Sequence, residues 1–296
     1  MKNFIIFFHE KEGTSALVRL LDNFHTVSIV HQTDKSGWEP FDRHNCGELS
    51  AASLERCLDY IFDESPLDLQ GLNGVYSQTS TKPLDSFDKS GSVGFKMRFL
   101  TSEAMSPLLR PLAKRSYRVD QFVKDRLEQS FRQRMFSTLK RHDVVVFIAA
   151  RQDLLRWALS KYHGDGSGNR GHMQFKIASG EMSRDSLGKI EVDCERFSDF
   201  IEECRGEHAE KRALADAMTK QGISVYPLRY EQFLSDQTGY LHDLFEKLGQ
   251  SVTQEQIDAA RAAGMFFDKV HSDDISESVV NHEEVMGRFG DCFEAW

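Results

Sequence analysis

Short apolar runs alternate with helical patterns along most of this 296-residue chain. Each run has the length and composition of a strand buried in a sheet, and the segments between them repeat apolar residues every three or four positions, as one face of a helix does. The pattern predicts strands at 3–8, 26–31, 92–99, 143–149 and 223–228. It predicts helices at 14–24, 48–62, 102–115, 120–140, 153–162, 194–220, 230–248 and 253–263.

Strands that alternate with helices favour an α/β fold with a mainly parallel central sheet flanked by helices. The sequence contains no internal repeat and no linker of low complexity, so we expect a single domain over residues 1–296. Two segments interrupt the alternation, 64–91 and 163–190. Loops of that length in a compact domain are usually lids, acceptor-binding segments or disordered insertions.

The charge balance limits the possible partners. A formal net charge of −9 argues against general nucleic-acid binding, which sums phosphate contacts over a basic surface. The segment from Lys96 to Arg141 nevertheless holds twelve Lys and Arg against four Asp and Glu, a local balance of +8. A pair of solvated basic helices would show this balance, and so would a surface that attracts a small anionic ligand.

The start of the chain and the cysteines bear on location and on metals. The apolar run from Phe4 to Phe8 is far shorter than the roughly 20 residues of a membrane span, and charged residues follow it instead of a cleavage site. We therefore expect a cytoplasmic protein without a membrane span. The five cysteines form no C-x-x-C pair, so we expect neither a disulfide framework nor a metal site.

The turn after the first predicted strand is a candidate anion site. A buried strand, a tight turn with Gly13 and the start of a helix would aim backbone N–H groups and the positive end of the helix at one point. Lys11 adds a positive charge. Thr14 and Ser15 add hydroxyl donors, which could instead cap the helix. An ordinary strand-to-helix turn with a surface lysine would have the same sequence.

A second candidate anion site lies at the end of the fourth predicted strand. Arg151 ends that strand, and the helix that follows places Arg156, Ser160 and His163 on one side. An arginine fork and a serine hydroxyl both suit phosphate, although an amphipathic helix often carries such residues on its solvated face. Ligands of open parallel sheets collect beyond the carboxyl ends of the strands, where the Lys11 turn also falls. Two anion sites at one edge predict a ligand with two separated anionic groups.

These two segments resemble the donor-binding motifs of sulfotransferases that use 3′-phosphoadenosine 5′-phosphosulfate (PAPS). The turn from Lys11 to Ser15 resembles that family's 5′-phosphosulfate loop, and Ala150 to Tyr162 is similar to its 3′-phosphate motif. Leu228 to Leu234 is similar to its late strand and tyrosine-glutamate-aspartate-leucine helix start, and Val279 to Val285 to its C-terminal segment. The resemblance therefore spans nearly the whole chain in order.

Two further segments resemble the bacterial members of this family. Gly37 to Asp42 contains a glutamate-proline-phenylalanine stretch, in which an early glutamate, here Glu39, is the proposed base of related sugar-sulfating enzymes. Gly94 to Met97 resembles a glycine-x-lysine strand whose lysine, here Lys96, lies near the transferred group.

The sequence departs from the family's pattern at two points. Glu12 stands where the family usually has a small hydroxyl residue, which puts a negative charge in the phosphate loop unless the side chain points outward or pairs with a base. Eight residues separate Arg151 from Ser160, slightly more than in the common cytosolic enzymes. The geometry of the donor site depends on how the fold accommodates both.

The resemblance implies a P-loop-NTPase-like sulfotransferase fold and a transfer of a sulfuryl group from PAPS to a hydroxyl or amine, with a carbohydrate or small metabolite as acceptor. It assigns catalysis to Lys11 at the leaving phosphate, to Lys96 at the sulfuryl oxygens and to Glu39 as the base. His9 and His31 are alternative bases. Donor binding is assigned to Lys11, Gly13, Thr14, Ser15, Arg151 and Ser160.

Two other functions fit parts of the sequence. A P-loop-like nucleotide kinase has a similar strand-loop-helix phosphate site, but the full G-x-x-x-x-G-K-[ST] pattern is absent and Lys11 precedes Gly13. A non-catalytic nucleotide-binding protein of the same fold would keep the donor site without chemistry, and Glu12 is the substitution that would suit it.

Overall fold

The structure is a computed structural model that describes residues 1–33, 39–41, 51–78, 80, 82–98, 117–166, 188–266 and 274–296. Over these ranges the strands form one sheet in the order β2-β3-β1-β4-β5, and every pairing is parallel. The predicted α/β fold with a mainly parallel central sheet is confirmed. The strands are β1 (Phe4–Phe8), β2 (Val27–Ile29), β3 (Ser92–Arg98), β4 (Val145–Ala150) and β5 (Val225–Arg229).

Helices cover both faces of the sheet. In the described ranges they are α1 (Thr14–Leu21), α2 (Ala51–Phe62), α3 (Leu69–Tyr76), α4 (Tyr117–Arg141), α5 (Leu154–Gly166), α6 (Cys194–Lys220), α7 (Tyr230–Ser235), α8 (Gln237–Lys247), α9 (Gln254–Ala262) and α10 (His282–Phe289). A 3₁₀ turn, Ile275–Glu277, precedes α10. In the same ranges, no helix has both the length and the apolar character that crossing a bilayer requires.

The alternation of side chains along β1 explains the two layers of helices. Phe4 and Ile6 pack into a cluster with residues of α1, α8 and α9, whereas Ile5 and Phe7 pack with residues of α2, α3 and α4. All four are fully buried. Because successive side chains of a strand point to opposite faces, a strand buried on both faces must be apolar throughout, as this one is.

The pairing register places the functional ends of the strands at one edge. Phe8 pairs with Arg98 at the ends of β1 and β3, and Ala150 pairs with Arg229 at the ends of β4 and β5. The central strand β1 lies between β3 and β4. The segments that leave these three strands therefore emerge side by side, at the edge where parallel sheets bind ligands.

Most predicted elements are found with ends shifted by a few residues, and α6 has the predicted bounds. The single helix predicted at 230–248 is wrong, because Asp236 ends α7 and its side chain accepts a hydrogen bond from the Gly239 amide to cap α8. Local capping by a short acidic side chain thus competes with the continuous helical pattern.

The two predicted loops are also corrected. Residues 64–91 contain α3, whose first turn is capped by the Asp68 carboxylate. Helix α5 continues to Gly166, into the segment predicted as a loop at 163–190. Residues 167–187 of that segment and the predicted helix at 102–115 lie outside the described residues.

Candidate functional site

The turn between β1 and α1 has a backbone suited to an anion. Lys11 and Gly13 have φ angles of 65° and 76°, with Glu12 between them. Gly13 is the N-cap of α1, and no side chain in the described part of the chain caps this end of the helix. Alternating left-handed residues and an uncapped helix N-terminus are typical of anion-binding turns. The predicted order of strand, turn and helix is found here, and neither Thr14 nor Ser15 caps the helix.

Gly13 is required by its neighbour as well as by its backbone. A Cβ at this position would lie 2.6 Å from Cε2 of Tyr230, the first residue of α7. The guanidinium carbon of Arg151 lies 4.8 Å from the centre of the same tyrosine ring. Tyr230 therefore contacts both predicted anion-binding segments, although the sequence pattern marks it only as a helix start.

The Lys11 side chain runs along the neighbouring helix α5. An added Cβ on Gly164 would lie 3.3 Å from Cε and 3.5 Å from Nζ of Lys11. A glycine at this point of α5 leaves the space that the lysine side chain occupies. Lys11 thus lies between its own turn and α5, and its carbonyl oxygen accepts a hydrogen bond from Arg151 Nη1 at 3.0 Å.

Glu12 points into the protein and pairs with a base. Its side chain is fully buried, one carboxylate oxygen accepts a 2.7 Å hydrogen bond from the His9 amide, and the other contacts Nζ of Lys211 in α6. Burial raises the pKa of Glu12 and lowers that of Lys211, while their mutual attraction opposes both shifts. Of the two outcomes that the sequence left open for Glu12, pairing with a base is the one found.

Arg151 and Ser160 meet beside the turn. Arg151 Nη1 donates to Ser160 Oγ at 3.1 Å, in addition to the Lys11 carbonyl oxygen. Its Nε is buried and has no hydrogen-bond acceptor among the described residues. Arg156, which the helical pattern placed on the same side, instead pairs with Asp153 at 2.8 Å. The geometry leaves a buried arginine nitrogen without an acceptor beside a serine hydroxyl, and side chains of both types can bind phosphate.

Lys96 connects the turn to Glu39. Its Nζ, in the buried centre of the edge, donates to Ser15 Oγ at 2.7 Å and lies 2.8 Å from Oε1 of Glu39. Lys96 is only 1% exposed, and its ammonium lies 4.5 Å from the Phe8 ring centre. Thr14 is buried in the first turn of α1. The structure thus brings Ser15, Lys96 and Glu39 into one cluster.

Glu39 is held through the two residues that follow it. The carbonyl oxygen of Pro40 accepts a hydrogen bond from the hydroxyl of Tyr76 in α3. That hydroxyl also accepts a 3.0 Å hydrogen bond from the buried Gln32 side chain. Phe41 packs on Phe95 with 4.8 Å between ring centres. The sequence pattern did not indicate this support, because it predicts a loop where α3 lies.

Arg98 and Glu10 lie beside Glu39 at the solvent-exposed side of the site, which we call its mouth. Arg98 Nη1 lies 2.5 Å from Oε1 of Glu10, and its Nε lies 3.5 Å from Oε2 of Glu39. Partial burial acts to raise the pKa of Glu10, but the hydrogen bond and charge of Arg98, together with the charges of Lys11 and Lys161, outweigh it, so the pKa is lowered. Side chains of Arg98 and Glu10 are 37% and 56% exposed, so this part of the site faces solvent.

The two histidines considered as alternative bases have other contacts. His9 Nδ1 lies 3.2 Å from Oε1 of Glu207 in α6, and both side chains are largely buried. His31 Nδ1 lies 3.0 Å from the Gln32 carbonyl oxygen, so this nitrogen carries the proton. These contacts direct His9 toward α6 and His31 toward its own strand end, whereas Glu39 contacts Lys96.

Helix α6 supplies site contacts that sequence reasoning missed. His208 and Lys211 are fully buried and lie one turn apart in an otherwise apolar stripe. Two polar residues at core positions of a helix require buried partners, and this pattern is the signal that could have found them. The apolar members of the stripe are Cys194, Phe197, Ile201, Cys204, Leu214 and Met218.

Comparison with known proteins identifies distant neighbours only. No family model and no curated protein matches the chain. Solved structures that align with it include sulfotransferase STF9 from Mycobacterium avium (11% identity, TM-score 0.38, covering 98% of this chain and 75% of that one). A sulfotransferase from Alicyclobacillus acidocaldarius aligns at 16% identity and a TM-score of 0.35, covering 98% of this chain and 92% of that one. The sulfotransferase domain from the curacin biosynthetic pathway aligns at 10% identity and a TM-score of 0.41, covering 100% of this chain and 93% of that one. These identities and TM-scores are too low to assign a function to this chain.

Proposed function

We propose that this protein is a sulfotransferase that moves a sulfuryl group from PAPS to a hydroxyl or amine of an acceptor. One observation carries the proposal: the turn from Lys11 to Ser15 is contacted from both neighbouring strands of the sheet. Arg151, directly after β4, reaches the Lys11 carbonyl oxygen, and Lys96 of β3 reaches the Ser15 hydroxyl. A donor with one phosphate on the turn and another on Arg151 fits this arrangement.

The residues present suit such a donor. The uncapped N-terminus of α1, the hydroxyls of Thr14 and Ser15 and the Lys11 ammonium would bind the 5′-phosphate end. The buried Nε of Arg151 offers a donor to the 3′-phosphate, and Ser160 Oγ lies beside it. This binding mode follows the order of motifs along the chain and needs no metal ion.

PAPS would supply a sulfuryl group attached to a phosphate oxygen, and the protein would position the groups and balance their charge. Lys11 would stabilise the negative charge of the departing phosphate, and Lys96 that of the sulfuryl oxygens. Glu39 would take the proton of the acceptor, which requires an acceptor oxygen or nitrogen within about 3 Å of its carboxylate. In the described structure Glu39 already contacts Lys96 and lies near the solvent-facing Arg98.

The buried partner of Glu12 bears on the non-catalytic alternative. A free carboxylate in the phosphate loop would repel an anionic donor. Because Glu12 turns inward to Lys211, its charge is balanced inside the protein and the Lys11 charge remains available to a ligand. The proposed acceptor is a carbohydrate or a small metabolite, on the resemblance to bacterial sulfotransferases that are related to the sugar-sulfating type.

Transfer assays with PAPS and a panel of hydroxyl and amine acceptors test the proposal. We expect acceptor-dependent release of adenosine 3′,5′-bisphosphate and a sulfated product detected by mass spectrometry. Lys11→Ala and Lys96→Ala should each reduce turnover on the order of a hundredfold, the usual effect of removing one charge-stabilising group. Lys189→Ala, which removes an exposed lysine, is the control. Transfer from ATP instead of PAPS, or donor binding without any transfer, would favour the alternatives.

A further inference from the structure

We propose that Lys211 and His208 of α6 are positioning residues that hold the two phosphate-binding elements of the donor site. Lys211 supports the turn that would bind the 5′-phosphate, and His208 supports the segment of Arg151 that would bind the 3′-phosphate. The inference rests on the proposed function, because it takes these two elements as the two ends of one donor site. It goes beyond that function in assigning their geometry to a single helix behind them.

Lys211 links the turn to two other elements. Its Nζ contacts the Glu12 carboxylate, donates to the carbonyl oxygen of Ala149 in β4 at 3.0 Å, and lies 4.6 Å from the Trp157 ring centre in α5. Trp157 Nε1 in turn donates to the Glu10 carbonyl oxygen at 2.8 Å. The turn is thus fixed from behind to a strand and two helices that lie distant from it in sequence.

His208 makes the matching contact at the other end of the site. Its Nε2 lies 2.9 Å from the Arg151 carbonyl oxygen, so Nε2 carries the proton and donates. Burial and the charge of Lys211 lower the pKa of His208 to about 4, so the ring is neutral near pH 7. The centre of its ring lies 5.4 Å from the ring centre of Trp157 and 5.8 Å from that of Trp296. Its imidazole therefore fixes the backbone from which the Arg151 side chain projects.

Stability alone does not explain why these two residues are polar. A buried ion pair loses much of its attraction to the cost of desolvation, and apolar residues of similar volume often stabilise a protein equally well. The rest of the stripe on α6 is apolar, so the helix could pack against the sheet without them. What Lys211 and His208 add is a specific contact with each element: Lys211 bonds to the Glu12 carboxylate of the turn, and His208 bonds to the Arg151 carbonyl oxygen.

The turn contains a disfavoured backbone conformation that the contact with Lys211 can stabilise. Lys11 has a φ of 65°, a left-handed conformation that disfavours any residue with a side chain. Such a residue persists where its surroundings fix it. The bonds of the neighbouring Glu12 to the His9 amide and to Lys211 fix the chain immediately after it. We infer that the turn keeps its anion-binding shape before the donor arrives.

Calorimetric titrations with three nucleotides separate the two supports. The ligands are adenosine 3′,5′-bisphosphate, adenosine 5′-monophosphate and adenosine 3′-monophosphate, and each is titrated into the wild type, Lys211→Met and His208→Leu. Lys161→Met is the matched control, because it removes another buried ammonium near Trp157, one that pairs with Glu203 and Glu207 in α6. Thermal melting shows which variants are folded at the titration temperature.

We expect a crossed pattern. Lys211→Met should weaken binding of the bisphosphate and of the 5′-monophosphate about tenfold and leave the affinity for the 3′-monophosphate within about twofold of wild type. His208→Leu should weaken binding of the bisphosphate and of the 3′-monophosphate about tenfold and leave the affinity for the 5′-monophosphate within about twofold. Lys161→Met should leave all three affinities within about twofold. A purely structural role would not depend on which phosphate the ligand carries. Equal losses for both monophosphates, or no loss in a folded variant, would overturn the inference.

A second variant covers the case in which Lys211→Met does not fold because Glu12 stays buried without its partner. The double variant Glu12→Gln with Lys211→Met removes both charges, and we expect it to fold and still to bind the 5′-monophosphate several-fold more weakly than wild type. Wild-type affinity in the folded double variant would overturn the inference alone. A wild type that does not prefer the bisphosphate over the monophosphates would overturn the proposed function, and this inference with it.

Discussion

The two sides of the Lys11–Ser15 turn are built differently. On the β4 side, the contacts behind the turn are buried: Glu12 and Lys211 are fully enclosed, and each has fixed partners. On the β3 side, Glu39 and Arg98 are partly exposed, with side chains 18% and 37% accessible, and their charges meet at the mouth of the site. On the first side the opposite charges are paired inside the protein, and the second side presents charges to solvent.

Under the proposed function, this difference corresponds to the two tasks that a transferase must combine. A donor that is the same in every turnover is best bound by a site formed in advance, because little ordering then has to accompany binding. An acceptor must reach the base and exchange contacts with charged groups around it, which a solvent-facing cluster allows. Variants on the β4 side should therefore change donor affinity, and variants on the β3 side should change turnover.

The largest effect is expected at the candidate base. Glu39→Gln should lower turnover by about a hundredfold or more and keep bisphosphate affinity within a few-fold, because a general base acts on the acceptor proton and not on the donor. Steady-state rates and calorimetry measure the two quantities. Glu10→Gln, which removes a more exposed carboxylate beside the same Arg98, is the control. A near wild-type rate for Glu39→Gln would move the base to His9, His31 or an acceptor already ionised in solution.

The next effect lies on the donor side. Arg151→Ala should remove most of the preference for adenosine 3′,5′-bisphosphate over AMP, about ten- to a hundredfold, since a charge-assisted contact contributes roughly 1.5–3 kcal/mol. Affinity for AMP itself should change little. Arg156→Ala is the matched control, because that arginine on the following helix pairs with Asp153. An unchanged preference in Arg151→Ala would show that Arg151 does not bind the 3′-phosphate.

A smaller effect is expected from the support of Glu39. Tyr76→Phe removes the hydroxyl that bonds to the Pro40 carbonyl oxygen and keeps the ring that packs on Phe41. Turnover should fall several-fold, up to about tenfold, through a less well positioned carboxylate, with bisphosphate affinity unchanged. Steady-state rates of Tyr76→Phe are compared with those of Tyr60→Phe, which changes a partly buried tyrosine of α2. A parallel loss of donor affinity would contradict the separation of the two sides.

The smallest effect concerns stability against pH. Burial lowers the pKa of His208 from 6.5 to about 4, aided by the charges of Lys211 and Arg212 and opposed by the hydrogen bond to the Arg151 carbonyl oxygen and by the charge of Glu294. As the pH falls from 6.5 to 4, His208 becomes protonated in the unfolded chain but stays neutral in the folded protein. The free energy of unfolding therefore decreases over that interval. His208→Leu lacks this loss, so the difference in Tm between wild type and variant should narrow by a few degrees. Parallel Tm curves from pH 7 to pH 4 would show that His208 is not held neutral by burial.

The regular parts of the fold follow from the sequence because their signals are local. The apolar run Phe4–Phe8 and the strand before Arg151 can bury themselves only in a sheet covered on both faces, and the helical stripes between them predict the covering layers. Where a single side chain decides, the pattern fails. Asp236 divides one predicted helix into two, and Asp68 starts a helix inside a predicted loop.

The candidate site shows the same division. Lys11 and Arg151 follow strand ends, which topology alone brings to one edge of a parallel sheet, and Ser15 lies in the first turn of the helix after Lys11. The partners that hold them do not follow from local pattern: Lys211 is 199 residues from Glu12, and Tyr76 is 36 residues from Pro40. Such pairs depend on how α6 and α3 pack against the sheet, and one sequence contains no signal for that pairing beyond a polar residue at a core position.

Calorimetric titration of the wild-type protein with adenosine 3′,5′-bisphosphate, AMP and ATP tests the donor site most directly. If Arg151 and the Lys11 turn bind two phosphates of one ligand, the bisphosphate should bind at least about tenfold more tightly than either AMP or ATP, because each of the others lacks the 3′-phosphate. Equal affinity for AMP and the bisphosphate, or tighter binding of ATP, would contradict the assignment of this edge of the sheet to PAPS.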